Sequence, residues 1–314
     1  MIRACTRLGK YVSVRDPLVV LPRNRPMIIS PEKLAILTNR DLSIFIQDTA
    51  SIESLRAIGL ENLVACIESR KNFLTSKELF RMVLGFCRTD TFPNKRLLNC
   101  LLGGITHPDK VKQFLAHELA LMSVEMAACH RRAGPNSQES ITTILAAFTD
   151  EFKRKIEAAS PTDLTFMSTA LCDMGLRDDE CMSLIAQYAT IQVSMFKGPD
   201  LADLLLAFAV AGFRSQELLR SAFPHLTTRL SLLHDVQLLQ VAFTACRFLP
   251  DIPEDIQQRF HKKYLSVVNA ENRTFLDIPF NTWKDFGSSL DRLNVNKEEI
   301  PKVWSQFKTF SSPS

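Results

Sequence analysis

Apolar residues in the second half of the chain recur at a spacing of 37: Leu164, Leu201 and Leu238 align, as do Met167, Leu204 and Val241. The register continues into the segments that follow, at Met182, Leu219 and Ile256 and again at Val193, Leu230 and Val267. Within a unit the apolar positions keep helix periodicity, most clearly at Leu201, Leu204, Leu205 and Phe208, which stand at i, i+3, i+4 and i+7. A recurrence in this range predicts stacked helix pairs, because one pair cannot bury its apolar face alone and needs the next pair to cover it.

The punctuation of the pattern supports helices. Ser160-Pro161-Thr162-Asp163 reads as a helix start, with a capping serine, a proline in the first turn and an acid near the positive helix end. Gly198-Pro199-Asp200 opens the next unit. Ala170, Ala207 and Thr244 hold equivalent small positions that let neighbouring helices approach, and Gly175 and Gly212 follow at equivalent helix ends, where a positive φ is often required. The third unit has Leu249 at that place and stops at Pro250, so the repeat is degenerate.

The first half is less regular. Ser30-Pro31-Glu32 looks like a helix start; Leu42, Phe45 and Ile46 make one apolar face, and Leu60, Leu63, Val64 and Ile67 another. Ser76-Lys77-Glu78 opens a stronger helix carrying Leu79, Met82, Val83 and Phe86, with a partner from Lys95 to Leu102. Two long helices are predicted over residues 109–130 and 138–158, separated by the breaker-rich residues 131–136. A final pair is predicted around Pro279, Trp283 and Phe286 and around Lys297, Trp304 and Phe307, with both tryptophans closing the end of the core or, in the alternative reading, forming an exposed docking patch. The expected fold is all-α: an α-solenoid of stacked antiparallel helix pairs in residues 160–314, an irregular helical region over 32–159, and an extended leader over 1–31.

Composition narrows this picture. Ten glycines against 21 phenylalanines, with few alternating Val/Ile/Thr runs, disfavour a large sheet. The eight cysteines contain no CxxC pair, and most sit among apolar neighbours, as buried thiols do. The longest apolar run, residues 204–213, is too short to cross a bilayer, so no membrane span is expected.

Residues 1–31 hold six basic residues (Arg3, Arg7, Lys10, Arg15, Arg23 and Arg25) against the single acid Asp16. An arginine-bearing, acid-poor start of this kind fits a mitochondrial presequence and a matrix location; the competing reading is an ordinary basic tail. The whole chain has 38 basic and 34 acidic residues, so removing the leader leaves 32 against 33. Bulk charge therefore argues for no nucleic acid, and any such contact must rest on a local patch.

Motifs of catalysis are missing. The sequence has no phosphate-cradling glycine loop, no HExxH and no GxSxG elbow. Ser194-Met195-Phe196-Lys197 matches a Ser-xx-Lys spacing without its companions, and Cys129-His130 has no second pair at metal-ligand spacing. Asp178-Asp179-Glu180 is expected in a first helical turn, where it complements the dipole without a metal. No cofactor, metal or small-molecule substrate is expected.

Basic groups supply the candidate contacts. Arg177 and Arg214 hold the same place in successive units, after Gly-Leu and Gly-Phe, where stacking would make them neighbouring rungs for phosphates or bases; the next equivalent residue is Asp251. Arg131 and Arg132, Lys153, Arg154 and Lys155, and His261 with Lys262 and Lys263 form the other clusters, each near a predicted helix end or turn.

Residues 164–175 and 201–212, both read as Leu-xx-Met/Leu-xx-Ala-xxxx-Gly, resemble the heptatricopeptide-type helical repeats of mitochondrial RNA-metabolism proteins, the FASTK-like and RAP-containing group. The resemblance covers roughly residues 160–270 and implies an α-solenoid in an organellar RNA setting. After Trp304 there is no recognisable RAP module, so the nuclease-like role associated with that module is not implied. The overall style also resembles divergent kinetoplastid mitochondrial proteins of RNA-editing and mitoribosomal assemblies. The expected function is a non-catalytic scaffold or RNA-binding subunit of a mitochondrial RNA-processing or RNA-editing complex, with other subunits and mitochondrial RNA as partners. The alternatives are an architectural subunit of a mitochondrial ribosome or other assembly and, more remotely, an enzyme assembled from dispersed side chains.

Overall fold

The computed structural model describes residues 31–48, 60–87, 95–105, 107–130, 135–248 and 251–270. The leader, Arg131 and Arg132, and the final pair predicted around Trp283 and Trp304 lie outside them. All regular structure among the described residues is helical, in fourteen α-helices joined by turns and short 3-10 segments. The chain divides into two compact units that change over between Ala159 and Ser160.

The first unit contains α1 (Pro31–Ile36), α2 (Asn39–Asp48), α3 (Leu60–Arg70), α4 (Ser76–Cys87), α5 (Lys95–Ile105), α6 (Pro108–Val111), α7 (Ala116–His130) and α8 (Pro135–Lys155). The apolar stripes read from sequence face inward: Leu42, Phe45 and Ile46 on α2, Leu63, Val64 and Ile67 on α3, and Leu79, Met82, Val83 and Phe86 on α4 are all buried. Helix α2 packs on α4 and α4 on α7, while α3 packs on α5 and α5 on α8. The α2–α4 contact is backbone-close. A Cβ built on Gly85 would stand 2.5 Å from the carbonyl oxygen of Ile46.

Caps set the helix starts. Thr75 precedes α4 and exchanges bonds with Glu78, its amide donating to Oε2 at 2.8 Å and the Glu78 amide donating to the Thr75 hydroxyl at 3.3 Å. Arg70, at the end of α3, donates to the carbonyls of Ala35 and Leu37, where a cation meets the negative end of α1. The helix predicted over 109–130 is broken. Residues 112–115 leave helical geometry after α6, Phe114 turns into the core, and the Leu115 amide donates to Glu118 Oε2 at 3.0 Å to start α7. Burying Phe114 and capping α7 anew outweigh the continuous helix that local propensity favours.

The second unit contains α9 (Pro161–Met174), α10 (Asp179–Ile191), α11 (Gly198–Ala211), α12 (Gln216–Thr227), α13 (Asp235–Phe248) and α14 (Glu254–Ala270). Helices α9, α11 and α13 lie side by side, as do α10, α12 and α14. Ser160 and Asp163 form a capping box at the start of α9. Asp178 caps α10 by accepting from the Cys181 amide at 2.9 Å, so the acidic run does sit at a helix start. Gly175 and Gly212 close α9 and α11 at φ of 64° and 71°.

Leu164, Leu201 and Leu238 are all buried, as are Met167, Leu204 and Val241 and the small residues Ala170, Ala207 and Thr244. At the later aligned positions Met182, Leu219, Leu230 and Val267 are buried, whereas Val193 and Ile256 are only half-buried. Polar groups stitch α9 to α11: Thr162 Oγ1 donates to Asp200 Oδ2 at 3.0 Å, and Thr165 Oγ1 to the Asp200 carbonyl at 3.1 Å. Helix α14 is anchored by an edge-to-face contact of Phe260 with Phe223, ring centroids 5.5 Å apart, and by the Tyr264 hydroxyl donating to the Leu238 carbonyl at 3.3 Å.

Candidate functional site

The basic residues singled out by sequence fall into distinct settings. Arg177 follows Gly175 in the turn before α10; its side chain is 86% exposed, and its Nε donates to Asp179 Oδ1 at 3.1 Å. That hydrogen bond, reinforced by the charge of Asp179, raises the guanidinium pKa above its ordinary value. Both partners lie in solvent, so the pair leaves the guanidinium face open to another anion.

Arg214 occupies the same place after Gly212, yet its environment differs. Its Nη1 donates to Asp251 Oδ2 at 3.1 Å, across 37 residues of chain, and the Asp251 side chain is only 13% exposed. The acid that reverses the sign of the arginine row is therefore the partner of its second member. Two turns at the ends of neighbouring helix pairs are joined by charge, and Arg214 works first as a tie between them.

Lys153, Arg154 and Lys155 form the last turn of α8, where cations favour the helix dipole. Lys153 pairs with Asp150 at 3.1 Å, and Glu151, itself buried, receives Arg154 at 3.0 Å and Lys155 at 3.1 Å. Lys155 Nζ also donates to the carbonyls of Lys112 and Phe114, both at 2.6 Å. It thus satisfies backbone acceptors freed where the chain breaks between α6 and α7. This run, the densest basic cluster in the sequence, is engaged in holding its own unit together.

Lys262 and Lys263 project from α14 and are exposed, one turn beyond Arg259, which pairs with Asp255 on the same helix. Arg177, Lys262 and Lys263 are exposed, as are Arg154 and Arg214, whose acidic partners are buried or nearly so.

The cysteines behave as core thiols. Cys87, Cys100, Cys129 and Cys181 are buried, Cys66 and Cys172 are half-buried, and none of these six is in a disulfide. The Cys129 thiol donates to the Cys87 carbonyl at 3.3 Å, and burial pushes the Cys100 thiol pKa up, away from the reactive thiolate. Among the described residues no group of His, Cys, Asp and Glu side chains is arranged to hold a metal ion, and no helix is long and apolar enough to cross a membrane.

Sequence reading did not single out a set of large apolar residues that stay in water. Ile36, Phe73, Ile191, Met195 and Leu232 are between 68% and 80% exposed. Two pairs among them, Ile36 with Phe73 and Met195 with Leu232, are 37 residues apart. The signal was present in the same recurrence that located the core, but an apolar residue in a repeat reads as buried until the turns are built.

No family model matches the chain, and no curated protein matches it.

Proposed function

We propose that the chain is a non-catalytic helical-repeat scaffold: an α-solenoid with a period of about 37 residues in its second unit, holding neighbouring subunits of a mitochondrial ribonucleoprotein complex for RNA processing or editing. The observation that carries this reading is the side-by-side packing of α9, α11 and α13 and of α10, α12 and α14, with polar ties such as Arg214–Asp251 between residues 37 apart. Successive pairs packed in this way form a one-dimensional platform whose turns and outer faces are left for partners. The matrix location rests on the basic, acid-poor composition of residues 1–31.

Direct RNA contact is the secondary part of the proposal, since Lys153, Arg154, Lys155, Arg177 and Arg214 are all engaged in ion pairs, and of these pairs only Arg177–Asp179 has both partners well exposed. It falls to Arg177, Lys262 and Lys263. Isolation of the tagged chain from mitochondria with and without nuclease tests both parts. Subunits retained after RNA removal support the scaffold; loss of every subunit refutes it in favour of association through RNA. RNA retained by the purified chain and lost on Arg177→Glu, Lys262→Glu and Lys263→Glu together supports direct contact, whereas RNA binding indifferent to the triple change refutes these contacts.

A further inference from the structure

The exposed apolar residues of the second unit occupy a defined place. Met195 lies in the 3-10 segment Val193–Met195 before α11, and Leu232 in the segment Leu230–Leu232 before α13, each three residues ahead of its helix. The two turns touch. A Cβ on Gly198 would meet Leu233 Cδ2 at 3.1 Å and Arg229 Cβ at 3.4 Å, and His225 Nε2 lies 3.4 Å from the Phe196 carbonyl oxygen. Met195 and Leu232 therefore stand on adjoining turns at one edge of the unit, with Ile191 at the end of α10 beside the first of them.

Charge on this edge has one sign. Residues 191–197 and 228–234 contain Lys197, Arg229 and His234 and no acid, with Lys197 and His234 exposed and Arg229 half-buried, its Nη1 2.8 Å from His225 Nδ1; carboxylates enter only with the helices that follow, at Asp200, which is bonded to Thr162, and at Asp235. The first unit repeats the arrangement independently. Ile36 and Phe73 each stand three residues before a helix start, and their turns are joined by Asn39 Nδ2 donating to the Phe73 carbonyl at 3.4 Å; the equivalent stretches, residues 32–38 and 69–75, contain Lys33, Arg70 and Lys71 against the single acid Glu32.

An exposed side chain of this size, kept at the same place in successive turns, is not required by the core. Leu230 and Leu233 already bury the second turn from within, as Phe196 buries the first. Building on the scaffold reading, we propose that the turn edge formed by Ile191, Met195 and Leu232, fringed by Lys197, Arg229 and His234, docks an acidic amphipathic helix of a partner protein. Such a helix sets leucine-type anchors at i, i+3, i+4 and i+7 against an apolar strip, and its flanking acids meet the cationic fringe. Methionine at the centre suits a surface that adapts to its anchors. Nucleic acid is the poorer occupant, because single-stranded bases are held by aromatic platforms and these three residues are aliphatic or thioether.

Fluorescence anisotropy with the full chain tests this. The probe is a labelled synthetic peptide of about 18 residues, with leucines at that spacing and glutamates beside them. The same peptide with lysines for glutamates and a labelled oligouridylate serve as comparisons. The acidic peptide is expected to bind in a salt-sensitive manner and to lose roughly tenfold or more in affinity on Met195→Asp with Leu232→Asp, and a smaller factor on Lys197→Glu. Both apolar sites are exposed, so an unchanged far-UV spectrum and unfolding midpoint are expected of the double variant. Absence of acidic-peptide binding, equal binding of the lysine peptide, indifference to the double change, or displacement of the peptide by oligouridylate overturns the proposal. In nuclease-treated isolation, a double variant that keeps every subunit of the unaltered chain removes this edge and leaves the scaffold reading standing, whereas failure of the unaltered chain to hold any subunit removes the scaffold itself.

Discussion

Gly85→Ala opposes two effects of opposite sign within the first unit. In a solvent-exposed helix interior the change stabilises by about 1 kcal/mol, because alanine loses less backbone entropy than glycine. At Gly85 the new methyl would lie 2.5 Å from the Ile46 carbonyl oxygen and 2.8 Å from both its carbonyl carbon and Cγ2. Two of those three atoms are backbone, so no rotamer change relieves the contact and α4 must withdraw from α2 by most of an ångström. That movement loosens the packing of Leu42, Phe45 and Ile46 against Met82, Val83 and Phe86, all buried. Overpacking of a dense core costs roughly 1–3 kcal/mol, and here the backbone contact places the cost toward the upper part of that range. A net loss of about 1–2 kcal/mol is expected once the propensity gain is subtracted. Urea titration followed by hydrogen exchange of peptides from α2 and α4 reads this unit separately, which matters because a chain of two units does not unfold in one step. A midpoint shifted upward, by the amount propensity alone supplies, would refute the close crossing of α2 and α4.

Other substitutions test the second unit. Gly175→Ala and Gly212→Ala each meet open space but force a positive φ, so each is expected to destabilise by about 1 kcal/mol in chemical denaturation, while asparagine at either site is expected to cost less. For Arg214 and Asp251, a double-mutant cycle with alanine is expected to give a coupling of about 0.5–1 kcal/mol, and a coupling of zero would remove the charged tie between the two turns. His225 carries the pH dependence. Burial first, then the nearby Arg229, lowers its pKa from 6.5 against the opposing bond to the Phe196 carbonyl. Because the folded state then binds the proton less well than the unfolded chain, stability is full above about pH 6.5 and falls as pH drops from there toward the depressed value. Unfolding midpoints over this window should fall in the unaltered chain and stay flatter in His225→Gln.

Much of this protein follows from local pattern. The stripes on α2, α3, α4, α9 and α11, the capping serine at Ser160, the placement of the acidic run at a helix start and the terminating glycines Gly175 and Gly212 were legible in the sequence, though not that Asp178 would stand outside the helix as its cap. Each depends on residues within one or two turns of each other, where periodicity and backbone preference act directly. The break before α7 was not legible, because it depends on Phe114 finding the core and Lys155 reaching the carbonyls of Lys112 and Phe114 from more than 40 residues away.

The candidate surface shows the same division. Sequence placed Arg177 and Arg214 at equivalent points, but only the folded chain made Asp251 the partner of Arg214 and left Arg177 in solvent. Sequence also placed Met195 and Leu232 in register, while their exposure was decided by which residues of each turn, Phe196 and Leu230 with Leu233, had already filled the space within. Helix type, the apolar stripe and most caps are set by interactions along the chain, and these the sequence determined by itself. Whether a charge is free and whether an apolar side chain is covered depend on neighbours one helix pair away, and tertiary packing alone brought those neighbours together.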